Sequence, residues 1–204
     1  MVIVELSPGG GWYTEILANF IHYPGTLIAA HFSADSDRAY YKRSRSNFEE
    51  KMASNSMYGR VEIVDLDSQL SDPGTVDAVL TFRNLHNWLG PTMDSIFSNT
   101  HKALKPGGIF GVVEHRAKPG TSMEMMRKSG YVTEAHAIAI AEKHGFELVA
   151  KSEINANPKD LKDYPKGVWT LPPNLRLKDT DKEKYLEIGE SDRMTLLFRK
   201  PIES

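Results

Sequence analysis

The chain has 204 residues, 40% of them hydrophobic and 25% charged, which suits one globular domain with a generous insertion. A formal net charge of -2 offers no global field to a nucleic acid or an anionic membrane, and no apolar run approaches the roughly 20 residues of a membrane span. There is no cysteine, so disulfides, thiolate metal sites and cysteine nucleophiles are excluded.

Val2 to Leu6 is a short β-branched apolar run that reads as a buried strand. Ser7-Pro8-Gly9-Gly10-Gly11 follows at once, and a helix is expected from Tyr13 to His22, with Ile16, Leu17, Phe20 and Ile21 as its apolar face and Pro24-Gly25 as its stop. Strand, glycine turn and helix start together make a nucleotide-binding corner: glycines let the backbone approach a ligand, and the helix N-terminus presents unpaired N–H groups. Because the sequence opens on the strand, the helix that normally precedes it is expected to be absent. Thr26 to Ala30 is a second strand, followed by a largely solvated helix from Ser36 to Met52. Val61 to Leu66 is a third strand that runs into Asp67-Ser68.

Val76 to Phe82 is the fourth strand, with the polar and aromatic exit Arg83-Asn84-Leu85-His86-Asn87-Trp88. Met93, Ile96, Phe97, Thr100 and Leu104 share one helical face, and Lys105-Pro106-Gly107-Gly108 ends that helix. Ile109 to Glu114 is the fifth strand, with His115-Arg116 at its end. Tyr131 to Lys143 reads as a helix closed by Gly145, Phe146 to Val149 opens a sixth strand, and Arg193 to Arg199 is the last. The stretch 154–189 is long, polar and proline-rich, which predicts a lid-like insertion before the last strand of a single domain spanning 1–204. The alternation predicts an α/β, Rossmann-like, doubly wound seven-stranded sheet, mostly parallel with an antiparallel C-terminal strand. Ligands in such a sheet sit over the carboxyl ends of the strands.

Three stretches carry a family resemblance. Glu5-Leu6-Ser7-Pro8-Gly9-Gly10-Gly11 has an acidic residue followed by glycines, with Ser7 where the first glycine is usual. Thr75-Val76-Asp77-Ala78-Val79-Leu80 matches a fourth strand, and Ala103-Leu104-Lys105-Pro106-Gly107-Gly108-Ile109-Phe110 a helix–turn–strand signature. With Asp192 to Phe198 as a closing strand, the chain resembles the class I S-adenosylmethionine-dependent methyltransferases, and within them a bacterial group. The resemblance implies methyl transfer from S-adenosylmethionine, with S-adenosylhomocysteine as product. It implies cofactor contacts at Glu5, Ser7, Gly9, Gly10, Gly11, His31, Asp67, Ser68 and Arg83. His31 stands where the family has a ribose-binding carboxylate, Asp67 where an acidic residue meets the adenine amino group, and the Ser68 N–H would face the ring. The residues agree independently: Glu5 suits an ammonium-bearing ligand and would repel a pyrophosphate, which speaks against a nicotinamide oxidoreductase.

For catalysis, His86 is the first candidate base and His115 the second, with Arg83 and Asn87 beside them on the strand exits and Arg83 and Arg116 able to clamp an anionic substrate group. The competing reading makes His86 and Asn87 helix caps and pairs Arg116 with Glu114. No spacing favours a metal between His86 and His115, and no metal is expected. The acceptor is expected to be a small molecule, with no nucleic acid or membrane as partner and the oligomeric state open. The alternative is a non-catalytic S-adenosylmethionine or nucleotide binder on the same fold. The expected location is cytoplasmic, or exported if a further N-terminal segment precedes the chain.

Overall fold

The computed structural model describes residues 1–21 and 23–202. Its centre is one seven-stranded sheet in the order β3-β2-β1-β4-β5-β7-β6. The strands are β1 Val2–Leu6, β2 Thr26–His31, β3 Val61–Asp65, β4 Val76–Phe82, β5 Leu104–His115, β6 Glu147–Ser152 and β7 Arg193–Arg199. β1 pairs in parallel with β2 and with β4, β2 with β3, and β4 with β5, while β7 runs antiparallel to both β5 and β6. The strand order therefore reverses between β1 and β4, so a crevice opens above Leu6 and Phe82, where ligands of such sheets lie.

The helices are α1 Trp12–Phe20, α2 Ala39–Ala53, α3 Leu85–Trp88, α4 Pro91–Ala103, α5 Met123–Ser129, α6 Glu134–Lys143 and α7 Lys182–Ile188. The main core lies between the sheet and α4, where Val4, Leu6, Val79, Met93, Phe97, Phe110 and Phe198 are fully enclosed. Phe97 and Phe110 meet edge to face at 5.1 Å, a preferred aromatic geometry.

Several boundaries differ from the periodicity reading. Leu104 belongs to β5, pairing with Val76, because Ala103 ends the helix and the chain turns into the sheet one residue early. Tyr131 and Val132 are extended, with Val132 bridged to Arg116, and the helix begins only after Thr133, whose side chain caps His136 N–H. Ile21, just past the end of α1, is buried and Leu17 packs against the same cluster, but Trp12, Ile16 and Phe20 face outward, so the expected apolar face is split. The expected end of that helix at His22 lies outside the described residues. The stretch 154–189 is more ordered than its composition suggests. It contains a short 3-10 turn at Gly167–Thr170 and α7, and it buries Val168, Leu171 and Tyr185.

That stretch is pinned to the body by polar contacts. The Tyr131 hydroxyl donates to both carboxylate oxygens of Asp160 at 3.1 and 3.0 Å, and Asp160 also accepts the Asp192 N–H at 2.8 Å. Lys162 and Arg116 both pair with Asp192, at 2.6 and 2.8 Å. Burial alone would raise the Asp192 carboxyl, but these cations and the Asn157 N–H hold it down at about 2.

Candidate active site over the strand ends

The glycine turn leaves β1 through Ser7, whose N–H is taken by the Ala30 carbonyl at 2.8 Å and whose φ of 54° is left-handed. A glycine would adopt this angle freely; serine is strained there. Its hydroxyl is buried and has no hydrogen-bond partner. Gly9 and Gly10 face open space, since a Cβ on either would meet nothing within 4 Å. Gly11 serves packing instead. A Cβ there would lie 3.0 Å from the Phe48 ring, so this glycine lets α1 start against α2 rather than exposing backbone to a ligand. Phe48 is fully enclosed within a helix that reads from sequence as solvated.

Glu5 is buried at the end of β1 and accepts the Thr14 hydroxyl at 2.6 Å. Burial pushes its carboxyl up to about 7, and the Thr14 bond offsets only part of this. His31 is enclosed at the end of β2. The Phe32 N–H donates to its Nδ1 at 2.7 Å, which places the ring proton on Nε2, and Nε2 donates to the Gly9 carbonyl at 3.1 Å. Burial holds this imidazole below its usual value. Both nitrogens serve the main chain, so His31 braces the glycine turn and has none left for a ribose.

Two cavities meet over these strand ends and share Ser7 and Asn84. The larger, about 890 Å³, is walled by Phe32, Tyr40, Tyr41, Leu66 and Trp88, with Asp35, Asp37 and Asp67 among its polar lining. Phe32 and Tyr41 stack face to face at 3.9 Å. This aromatic group was missed in the sequence, although Phe32, Tyr40 and Tyr41 follow the second strand closely. Asp67 and Asn87 both turn to this cavity, so Asn87 stands apart from His86 and His115. Ser68 does not line it. Its N–H, expected to face the ring, is held by the Asp65 carbonyl at 3.2 Å, and the residue edges a separate small hollow. Ser68 sits in the tight turn that ends β3, which consumes its amide.

The smaller cavity, about 340 Å³, brings Glu5, Gly9 and Gly10 together with Arg83, His86 and His115. Its far wall is the 154–189 stretch, through Val168, Trp169 and Pro172-Pro173. Tyr13 and Phe82 stack at 3.7 Å with rings 8° from parallel, and the Trp169 ring meets His86 edge-on at 5.9 Å. Arg83 has a φ of 63° and donates its N–H to the Val113 carbonyl at 2.7 Å. Such a backbone angle persists only where the surrounding structure holds it, here through that bond to β5.

Glu114 lies fully buried beneath the histidines. Its Oε1 accepts the His115 N–H at 2.7 Å and approaches His86 Nδ1 at 3.1 Å, while Oε2 accepts the His86 N–H at 3.3 Å. Burial would raise this carboxyl, but the adjacent His86, its hydrogen bond and the His115 ring and N–H hold it below the ordinary range. His115 Nδ1 bonds the Ser191 hydroxyl at 2.6 Å, and burial drives its imidazole down to about 4 despite the nearby Glu114. His86, Glu114 and His115 present ligand atoms within 4.8 Å of one another, a spacing also compatible with a metal ion. The Arg83 charge adds to the forces that disfavour a cation on His115. Arg116 faces away: it is held by Asp192 and Glu153 at 2.8 and 2.6 Å, so the expected substrate clamp is a structural ion pair. Its expected partner Glu114 is taken by the histidines instead.

The sequence matches the methyltransferase domain family over residues 4–112, more than half of the chain. No curated protein matches it. Solved structures share its fold at low identity. The [4+2]-cyclase SpnF is 17% identical with a TM-score of 0.70, covering 99% of this chain and 76% of that one. A SAM-dependent methyltransferase from Aquifex aeolicus is 13% identical at 0.63, covering 98% and 82%. Geranyl diphosphate C-methyltransferase from Streptomyces coelicolor A3(2) is 11% identical at 0.63, covering 98% and 70%. With the glycine turn after β1, the antiparallel β7 and this domain match, the chain belongs to the methyltransferase domain family and carries the class I S-adenosylmethionine-dependent methyltransferase fold.

Proposed function

We propose that this protein transfers a methyl group from S-adenosylmethionine to a small-molecule acceptor held over the ends of β4 and β5. One observation carries the reading: a single cavity is lined by Glu5, by the open Gly9-Gly10 backbone and by His86, whose ring is bonded from behind by the buried Glu114. The residues fit the cofactor. Gly9 and Gly10 leave room for close backbone approach, the Ser7 hydroxyl is buried without a partner, and Glu5 would meet an ammonium. The larger cavity suits a nucleoside, with aromatic walls at Phe32 and Tyr41 and with Asp35, Asp37 and Asp67 as acceptors for hydroxyl and amino groups. The Streptomyces relative in complex with S-adenosyl-L-homocysteine supports the same choice.

When bound, S-adenosylmethionine supplies an already activated methyl group, so the chain's own residues mainly position and desolvate the acceptor. His86, oriented by Glu114, takes the acceptor proton. His115 sits beside it as a neutral wall. Arg83 holds an anionic group, and the 154–189 stretch acts as a lid that excludes water through Trp169 and Pro172-Pro173. Calorimetry with S-adenosylmethionine, S-adenosylhomocysteine and NAD is the test. Binding of the two adenosyl ligands and not NAD is the expected result; binding of neither refutes the reading. Binding without turnover on any acceptor would favour a non-catalytic cofactor binder.

A further inference from the structure

The acceptor can be described more closely than "small molecule", on the assumption that the methyltransferase reading holds. Four features of the smaller cavity bear on it. Among the described residues, no carboxylate pairs with the Arg83 guanidinium, although Arg83 lines the cavity. Nearby, Arg116 and Lys162 pair with Asp192 and Arg193 with Glu190, while Arg38 at the larger cavity and Arg176 behind Trp169 rest on aromatic rings instead. A cationic side chain aimed into a half-enclosed pocket without a counter-charge calls for an anionic ligand group. The walls are flat and aromatic, with the stacked Tyr13 and Phe82 on one side and Trp169, itself backed by Arg176 at 4.5 Å, on the other. The His86–Glu114 pair needs a proton to take, which a hydroxyl provides and a bare carboxylate does not. Finally, at about 340 Å³ the cavity lies at the small end of ligand pockets, about 300 to 1,000 Å³. The methionyl end of the cofactor takes part of that space, leaving room for one ring.

We propose that the acceptor is a small planar hydroxy acid of the hydroxybenzoate type, its carboxylate held by Arg83, its ring between the aromatic walls and its hydroxyl directed at His86. In the transfer, the hydroxyl oxygen gives its proton to His86 and uses its electron pair to form the new O–CH3 bond as the methyl–sulfur bond breaks. The sulfur keeps that bonding pair, the sulfonium becomes the neutral thioether S-adenosylhomocysteine, and His86 later releases its proton to water. A carboxylate acceptor would need no base, and the dyad would then have no part.

The test uses the full-length protein loaded with S-adenosylhomocysteine and titrated by calorimetry with meta- and para-hydroxybenzoate, the methyl ester of each, and benzoate. The same compounds are run with S-adenosylmethionine while the ether product and S-adenosylhomocysteine are measured. At least one hydroxybenzoate is expected to bind and to be methylated on its phenolic oxygen. Its ester should bind about tenfold or more weakly, and benzoate should bind without turnover. Arg83→Gln should erase the preference for acid over ester, and Arg83→Lys should restore part of it, each preference being taken as a ratio at saturating S-adenosylhomocysteine, because Arg83 is also an expected cofactor contact. Equal binding of acid and ester, an unchanged preference in Arg83→Gln, or methylation of benzoate would overturn the proposal. If S-adenosylhomocysteine binds but none of the hydroxybenzoates does, this inference fails and the methyltransferase reading stands. If S-adenosylhomocysteine itself does not bind, the failure belongs to the methyltransferase reading.

Discussion

His31 donates from Nε2 to the carbonyl oxygen of Gly9 at 3.1 Å, joining the end of β2 to the middle of the glycine turn. The position that carries a ribose-binding carboxylate in the resembled family is here a strut. A carboxylate at this place would face the Gly9 carbonyl as acceptor against acceptor and would leave the Phe32 N–H in an altered setting. His31→Asp is therefore expected to lower stability by about 1–3 kcal/mol and to weaken S-adenosylmethionine binding, whereas His31→Asn, which keeps a donor, loses less. Thermal melts and calorimetry decide it; a His31→Asp protein that binds the cofactor more tightly would rule out the strut.

Ser7 combines a left-handed φ of 54° with a buried hydroxyl that has no partner. Left-handed backbone costs a non-glycine residue roughly 1–2 kcal/mol, and an unsatisfied buried hydroxyl adds to it. Glycine loses some of that gain through the greater freedom of the unfolded chain. Ser7→Gly is expected to stabilise the ligand-free protein by about 1 kcal/mol in denaturant unfolding. If the hydroxyl is kept to meet the cofactor, the same variant binds S-adenosylmethionine more weakly; stabilisation with unchanged affinity would make Ser7 a tolerated defect.

The sheet was legible in the sequence because β-branched runs such as Val2 to Leu6 and Val76 to Phe82 announce buried strands wherever they fold, while Lys105-Pro106-Gly107-Gly108, which reads as a turn, lies inside β5 as an irregularity of its pairing with β4. Pattern failed where a side chain's environment comes from another part of the chain. Phe48 sits in a highly charged helix, yet it is enclosed because it closes against Gly11. Ile16 and Phe20 have helical spacing but face outward. At the site, His86, His115, Arg83 and Glu5 are recognisable because strand exits in an α/β sheet converge on one crevice. The roles of His31, Ser68 and Arg116 were not, since each depends on a partner more than one element away or on a local turn that takes up its amide. Glu114 was visible as a residue but not as the centre of a triad, because its three donors come from two different strand exits.

Glu5 gives the fold a pH signature. Its carboxyl rises from an ordinary 4.5 to about 7 through burial. A raised acid binds its proton more tightly when folded, so its contribution is fully present below about pH 4.5 and is lost as pH climbs through about 7, on the order of 3 kcal/mol in all. Glu5→Gln should remove that slope, matching the parent at low pH and exceeding it in stability above pH 7 when no ligand is present. A ligand ammonium favours the ionised form, so S-adenosylmethionine binding should tighten as pH rises towards 7 and release part of a proton. Calorimetry in buffers of different ionisation enthalpy reads that proton directly, and its persistence in Glu5→Gln would clear Glu5 of the role.

Glu114 is the residue through which the two histidines are coupled, since it bonds the His86 ring and both main-chain N–H groups. It acts through His86, as a positioning residue. Glu114→Gln keeps the shape and removes the charge, but its amide group turns a donor toward at least one of three donors. Turnover on a hydroxyl acceptor is expected to fall about 100-fold with KM little changed, a split that loss of packing alone does not produce. Because the same three residues have metal-compatible spacing, turnover should also be measured after chelation. The proton-transfer reading predicts no change. A loss that Zn²⁺ or Mn²⁺ restores would convert His86 from base to ligand and place the ionised acceptor on the metal instead.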